Sequence, residues 1–100
     1  MNEDNAAINH ALLLNSNSST YNVRKGIVLG MEGKNDDAEI YSDKGLIFDT
    51  NNGFGWISKG IVAEAKGDKA RAIFYYNEAI KLDPDETVTL AALYKLKHPW

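Results

Sequence analysis

Two stretches of this 100-residue chain share one pattern of small, apolar and turn-forming residues, and the second follows the first by about 34 positions. A shift of that length superposes Lys25-Gly26-Ile27-Val28 on Lys59-Gly60-Ile61-Val62. The same shift pairs Gly33 with Gly67, Ala38 with Ala72, Tyr41 with Tyr75 and Asp49 with Asp83. An internal repeat constrains the fold strongly, because each copy buries its apolar face only against a neighbouring copy. The sequence therefore predicts a stack of repeated units.

A second shift of the same length extends the pattern towards the start of the chain. It aligns Ala11-Leu12-Leu13-Leu14 with Gly45-Leu46-Ile47-Phe48 and with Ala79-Ile80-Lys81-Leu82. The predicted units are a second-half helix in 1–18, repeat one in 19–52, repeat two in 53–86 and a capping helix in 87–100. Apolar residues at helical spacing predict six helices, over 2–15, 21–32, 35–48, 54–66, 68–83 and 86–97.

Turn and cap signals separate the predicted helices. Gly33 is expected to end the first helix of repeat one in a left-handed conformation. Asp85 is expected to cap the last helix, where Tyr94 and Lys97 replace the small or apolar residues found at the equivalent repeat positions. A last helix of this kind solvates the end of a stack.

Repeat two carries a specific constellation of residues. Its members are Trp56, Gly60, Gly67-Asp68, Ala72, Tyr76, Ala79 and Pro84. In this order and spacing they resemble the tetratricopeptide repeat (TPR), in which the glycine and alanines lie where paired helices approach closely. The resemblance implies an all-α, right-handed α-solenoid of six helices, either a short protein of prokaryotic type or a fragment of a longer one.

Repeat one departs from this pattern. Asn22 stands at the position of Trp56, and Ser42 at the position of Tyr76, so repeat one is predicted to be less well filled. Lys25 and Lys59 occupy a position that the family usually gives to leucine, and their stems are expected to lie on apolar surface with the ammonium group in water.

Composition excludes several classes of function. The net charge of −3 gives no basic field for nucleic acid, and the absence of cysteine excludes disulfides and thiol chemistry. The apolar runs are shorter than a membrane span, and the acidic start of the chain lacks the features of a secretion signal. We expect a cytoplasmic protein without nucleic-acid or membrane partners.

No pattern of catalytic or metal-binding residues emerges. His10 and His98 lie far apart, and neither has a second histidine at ligand spacing. Asp36-Asp37 suits the positive end of a helix dipole better than an acid–base pair. A calcium loop counted from Asp49 would place Phe54 and Gly60 where a glycine and a carboxylate are required. We therefore expect no enzyme, no metal and no cofactor.

The resemblance implies a binding module, because first helices of successive TPR repeats line a concave groove that holds a peptide or a partner helix. The groove positions, mostly apolar here, are Val23, Ile27, Gly30, Ile57, Ile61, Glu64, Val88 and Ala91. The clamp of lysine, asparagine and arginine that receives chaperone tails in this family has only Arg24 and Lys95 nearby. An apolar peptide or helix is therefore the expected ligand, unless the groove residues pack on one another and fill it.

Two alternatives stay open. One is a regulatory fragment of a larger multidomain protein. The other is a self-assembling scaffold, since the second helices carry apolar residues where the family is usually polar: Leu13, Ile40, Ile47 and Phe74. Such a stripe is most simply buried against a second copy in a two-fold homodimer.

Overall fold

A computed structural model describes residues 18–98. They form five α-helices: α1 (Ser19–Met31), α2 (Asn35–Phe48), α3 (Gly53–Ala65), α4 (Lys69–Leu82) and α5 (Thr87–Lys97). Because no strand interrupts this described range, the all-α prediction is confirmed for it. The helix expected over 2–15, together with His10 and Leu13, lies outside the described residues, so the prediction of six helices stays a prediction.

Side-chain caps begin four of these helices: α1, α3, α4 and, as described below, α5. Ser18 accepts a hydrogen bond from the backbone N–H of Tyr21 (3.3 Å), and Asp68 accepts one from the N–H of Arg71 (3.1 Å). Asn52 accepts from the N–H of Phe54 (3.2 Å). Each bond satisfies one of the donors that a helix start leaves without an intrahelical partner.

The prediction that Asp85 caps the last helix was wrong. Glu86 is the N-cap of α5, and its carboxylate accepts from the backbone N–H of Thr89 (2.6 Å) and from the Thr89 hydroxyl. The backbone N–H of Asp85 instead donates to Asp83 Oδ1 (3.3 Å). The turn after α4 therefore uses Asp85, and α5 begins one residue later.

Glycine ends α1 and α3 as the sequence predicted. Gly33 and Gly67 have φ values of 80° and 79°. This left-handed conformation lets the N–H of Lys34 reach the carbonyl of Leu29 (2.9 Å), and the N–H of Asp68 reach that of Ala63 (2.8 Å). These bonds close the helix ends and turn the chain back for the following helix.

The helices pack as two successive pairs followed by a single helix. Helix α1 packs on α2 and α3 on α4, while α2 with α3 and α4 with α5 join consecutive units. Helices α1 and α3 also contact each other, so the first helices of the two repeats lie side by side. The apolar core follows these junctions, with Leu29, Ala38 and Val62 in one cluster. Ala63, Ala72, Tyr76 and Leu93 form another.

Repeat one is closed by close helix approach. Asn22 and Ser42 are both fully buried, at 0% exposure. A Cβ atom placed on Gly26 would lie 2.6 Å from Ser42 Oγ and 2.9 Å from the carbonyl oxygen of Ala38. The expectation of a less well filled repeat was therefore wrong at these positions, because the backbone of α1 moves in where a large side chain is missing.

Candidate functional site

A set of side chains on α1, α3 and α5 was predicted to line the groove, and we call this set the first-helix face. Its members are the predicted groove residues Val23, Ile27, Gly30, Ile57, Ile61, Glu64, Val88 and Ala91. On α3, Ile57, Ile61 and Glu64 follow one another at spacings of four and three residues, so they share one side of the helix. The direct contact of α1 with α3 brings their two rows together.

Exposure along this face is uneven. Ile61 is 44% exposed and Val88 is 70% exposed, whereas Ile27 and Ile57 are partly buried. Val23 is only 1% exposed and belongs to the core. Its Cγ2 lies 3.3 Å from where a Cβ on Gly55 would stand. The accessible apolar surface of the face is therefore supplied mainly by the isoleucines and Val88, with a smaller part from Ala91.

Phe54 adds to the face at a position that the groove prediction left out. It is 65% exposed and lines two cavities. One has a volume of about 370 Å³ and is lined by Thr20, Val23, Arg24, Ile27, Asn52 and Phe54. The other, of about 200 Å³, is lined by Asn51, Gly53, Phe54, Ile57, Ala79, Leu82, Asp83 and Glu86. The available signal was its place three residues before Ile57, which puts it on the same helix side.

The side chain of Glu64 is oriented by a hydrogen bond from a buried tyrosine of α4. Tyr76 of α4 is 2% exposed, and its phenol oxygen donates a hydrogen bond to Glu64 Oε1 at 2.6 Å. Burial, followed by this hydrogen bond to a carboxylate, raises the pKa of the Tyr76 phenol above its ordinary value. The phenol therefore stays protonated as a donor at neutral pH, while Glu64 is exposed at the surface.

The second helices carry the predicted apolar stripe on their own surface. Ile40 is 60%, Ile47 77% and Phe74 55% exposed. Ile47 also lines a shallow depression of about 490 Å³ between α2 and α4, together with Asp43, Leu46, Thr50, Trp56, Lys59 and Tyr75. Trp56 and Lys59 lie on the side of α3 away from Ile57 and Ile61, so this depression is separate from the first-helix face.

Lys59 differs from its predicted role. Its ammonium group forms an ion pair with Asp43 of α2 and lies 4.9 Å from the centre of the Tyr75 ring of α4. Lys25, at the equivalent position of repeat one, is 9% exposed. The stems of both lysines are covered, as predicted. The ammonium group of Lys59, however, is held within the stack by Asp43 and Tyr75 and does not extend freely into water.

Asp36 and His98, which were considered as catalytic or metal-binding residues, both make contacts with neighbouring side chains. Asp36 pairs with Lys66 at 2.8 Å, and this bond lowers the pKa of the carboxyl. The ring of His98 lies 4.4 Å from that of Tyr94. Between residues 18 and 98, no cluster of three or more histidine, aspartate or glutamate side chains is placed to hold a metal ion. In the same range, no helix has the length and apolar character needed to span a membrane.

Comparison with known proteins agrees with this architecture. A family model described as tetratricopeptide repeat matches residues 53–86. Among solved structures, the TPR domain of OM64 from Arabidopsis is similar, with a TM-score of 0.87 and 21% identity over 97% of this chain and 81% of that chain. At this identity the likeness establishes the fold alone. Among curated proteins, none matches the chain. Residues 53–86 thus match the sequence pattern of the tetratricopeptide repeat, and the described helices have the fold of a TPR domain.

Proposed function

We propose that this protein is a non-catalytic interaction module that binds an apolar peptide or helix along its first-helix face. The TPR fold is a protein-interaction fold in general, and the absence of an enzyme activity is part of the same proposal. A right-handed stack of six helices and a cytoplasmic location stay predictions. The proposed partner is a protein or peptide, with no nucleic-acid or membrane partner.

The exposed apolar row that ends beside two cavities carries the proposal. Ile61, Val88 and Phe54 remain 44%, 70% and 65% exposed. Phe54 lies between cavities of about 370 and 200 Å³, which are large enough to receive side chains of a ligand. Several exposed apolar side chains near pockets are typical of a docking site, whereas a single exposed hydrophobe is not.

A peptide array tests this function. The array presents short peptides of alternating leucine or isoleucine and polar residues, and binding is measured by fluorescence anisotropy. Ile57→Lys with Ile61→Lys is expected to abolish binding, since the charges would enter the apolar row. The control is Ile40→Lys with Ile47→Lys, which makes the same change on the second helices. Equal binding by the wild type and the first double variant would place the binding surface elsewhere.

Self-association is the second candidate function, and the exposed second-helix stripe favours it. Ile40, Ile47 and Phe74 are each more than half exposed, and charged residues such as Asp43 and Lys44 flank them. A two-fold homodimer would bury this stripe most simply. Ile40→Glu with Ile47→Glu, followed by sedimentation across a dilution series, tests it. A wild type that sediments as a monomer, or a double variant that remains dimeric, would contradict it.

A further inference from the structure

Glu64 is a charged group placed against the preference of its own helix. It lies in the last turn of α3 (Gly53–Ala65), where the helix dipole is negative and favours cations. That turn contains no basic residue, and none of the ion pairs within residues 18–98 involves Glu64. Local electrostatics therefore do not explain the carboxylate, and such exceptions are expected mainly at functional positions.

Its neighbour fixes the orientation of this carboxylate. The phenol of Tyr76 is buried and donates to Oε1 at 2.6 Å, which leaves the second oxygen, Oε2, without a hydrogen bond to the described residues. A side chain that is already oriented loses less conformational entropy when it binds a ligand than a free surface glutamate does. The repeat-one equivalent is Gly30, so this fixed charge lies beside α3 alone.

The surrounding surface defines what this carboxylate would meet. Ile61 precedes Glu64 by one helical turn and Ile57 by two, so the apolar contacts extend about 10 Å from the carboxylate along the helix. A ligand that covers both isoleucines would bring its next side chain to Glu64. A lysine or arginine there would form a charge-assisted hydrogen bond with Oε2, whereas an acidic side chain would be repelled.

We propose that Glu64, positioned by Tyr76, selects ligands in which a lysine or arginine follows the apolar side chains that contact Ile57 and Ile61. This inference rests on the proposed function and adds the charge of the ligand to it. The partner is thus a segment with an apolar row that ends in a cation.

A set of matched peptides tests the selection. Acetylated and amidated peptides of alternating leucine and serine carry lysine, arginine, glutamine or glutamate at one end of the apolar row. The wild type is expected to bind the lysine and arginine versions about tenfold more tightly than the glutamine version, which corresponds to about 1.4 kcal/mol. Added salt is expected to reduce this difference, because it screens an exposed charge pair.

Three variants separate selection from folding. Glu64→Gln keeps an acceptor for the Tyr76 phenol but removes the charge, so it should bind the lysine and glutamine peptides equally. Glu64→Lys should bind the glutamate peptide best. Glu78→Gln is the matched control, since Glu78 pairs with Lys81 on α4 and should leave the preference unchanged. Thermal melting of each variant checks that the fold is intact.

The outcomes distinguish this inference from the function beneath it. Tight binding of the apolar peptides without any preference for a cation would overturn the role of Glu64 and leave the proposed function standing. A preference that survives Glu64→Gln would do the same. If none of these peptides binds the wild type, the proposed function fails, and the selection by Glu64 fails with it.

Discussion

The two repeats fill the same helix crossing by different means. In repeat two, Gly60 faces the ring of Tyr76, and a Cβ on this glycine would lie 2.6 Å from the Cδ1 atom of that ring. In repeat one, Gly26 faces Ser42, and the missing aromatic volume is taken up by the backbone of the paired helix. One crossing is an aromatic ring against a glycine, and the other is main chain against main chain.

This difference extends to the polar atoms at the two crossings. The Ser42 hydroxyl donates to the carbonyl of Ala38 at 2.8 Å and lies 2.6 Å from the Ser58 hydroxyl of α3. Tyr76 instead sends its hydroxyl outwards to Glu64. A small residue at this position therefore links repeat one to repeat two inside the stack, whereas a large one connects the core of repeat two to the first-helix face. The same repeat position has acquired two roles.

Among the variants that test this comparison, Tyr76→Ala should cause the largest loss of stability. It removes a buried ring that fills the repeat-two crossing, so we expect the free energy of unfolding to fall by about 3–5 kcal/mol. Urea unfolding followed by circular dichroism measures it. Tyr76→Phe keeps the ring and should lose far less. A loss below about 1 kcal/mol for the alanine variant would mean that repeat two can close as repeat one does.

Gly26→Ala should have the next largest effect. Its Cβ would lie 2.9 Å from a backbone oxygen, which cannot rotate away, so we expect a loss of about 1–3 kcal/mol from overpacking. Gly30→Ala in the same helix is the matched control. Its nearest neighbour would be Ala38 Cβ at 3.8 Å, an ordinary contact, and the gain in helix propensity should stabilise the protein by about 0.5–1 kcal/mol. Equal melting temperatures for the two variants would contradict the close approach.

Ser42→Ala tests the polar link of repeat one. It removes the partner of the buried Ser58 hydroxyl, and an unsatisfied group of this kind costs about 1–3 kcal/mol. The double variant Ser42→Ala with Ser58→Ala should lose less than the sum of the single variants, because neither hydroxyl is then left behind. Chemical denaturation of all four proteins completes the cycle. Strict additivity would show that the two hydroxyls do not interact.

The smallest expected effect concerns the caps that follow each repeat. Asn52 caps α3 with an amide, which does not titrate, whereas Glu86 caps α5 with a carboxylate. Hydrogen bonds from the Thr89 hydroxyl and then from its backbone N–H lower the pKa of Glu86 below 4.5. Since the folded pKa is depressed, the stabilisation is present above pH 4.5 and is lost as the pH falls through the folded value.

Amide hydrogen exchange resolves this last effect by helix. Below pH 4.5, protection should decrease at the start of α5 but not at the start of α3, after correction for the intrinsic exchange rate. In the Glu86→Gln variant, the amides at the start of α5 should have the same protection above and below pH 4.5. A decrease of equal size in the glutamine variant would mean that another group titrates.

The sequence was sufficient for features that repeat. Gly33 and Gly67 recur at the period of the repeat, and both adopt the left-handed conformation that their turn requires. Helix boundaries agreed within about two residues for the same reason, because apolar spacing and caps are local signals. The exposure of Ile47 and Phe74 also followed from their position on the second helices.

Features that depend on the distance between helices could not be predicted. The aromatic-to-serine change at Ser42 suggested a gap, since nothing local indicates how far α1 can approach α2. The Lys59–Asp43 pair joins residues 16 positions apart and exists only once α2 lies against α3. Tyr76 and Glu64 were each assigned a role, but their hydrogen bond depends on how a ring in α4 crosses α3.

The position of Lys59 has a consequence for how the array unfolds. From α3 this side chain contacts Asp43 in α2 and the Tyr75 ring in α4, so three consecutive helices meet at one ammonium group. In a linear array, cooperativity comes from the coupling energy between neighbouring units relative to the intrinsic stability of each. Loss of repeat one would leave the Lys59 ammonium group beside Tyr75 without the Asp43 carboxylate. We therefore expect the melting of either repeat to weaken the other, so that this contact favours cooperative unfolding of the two repeats.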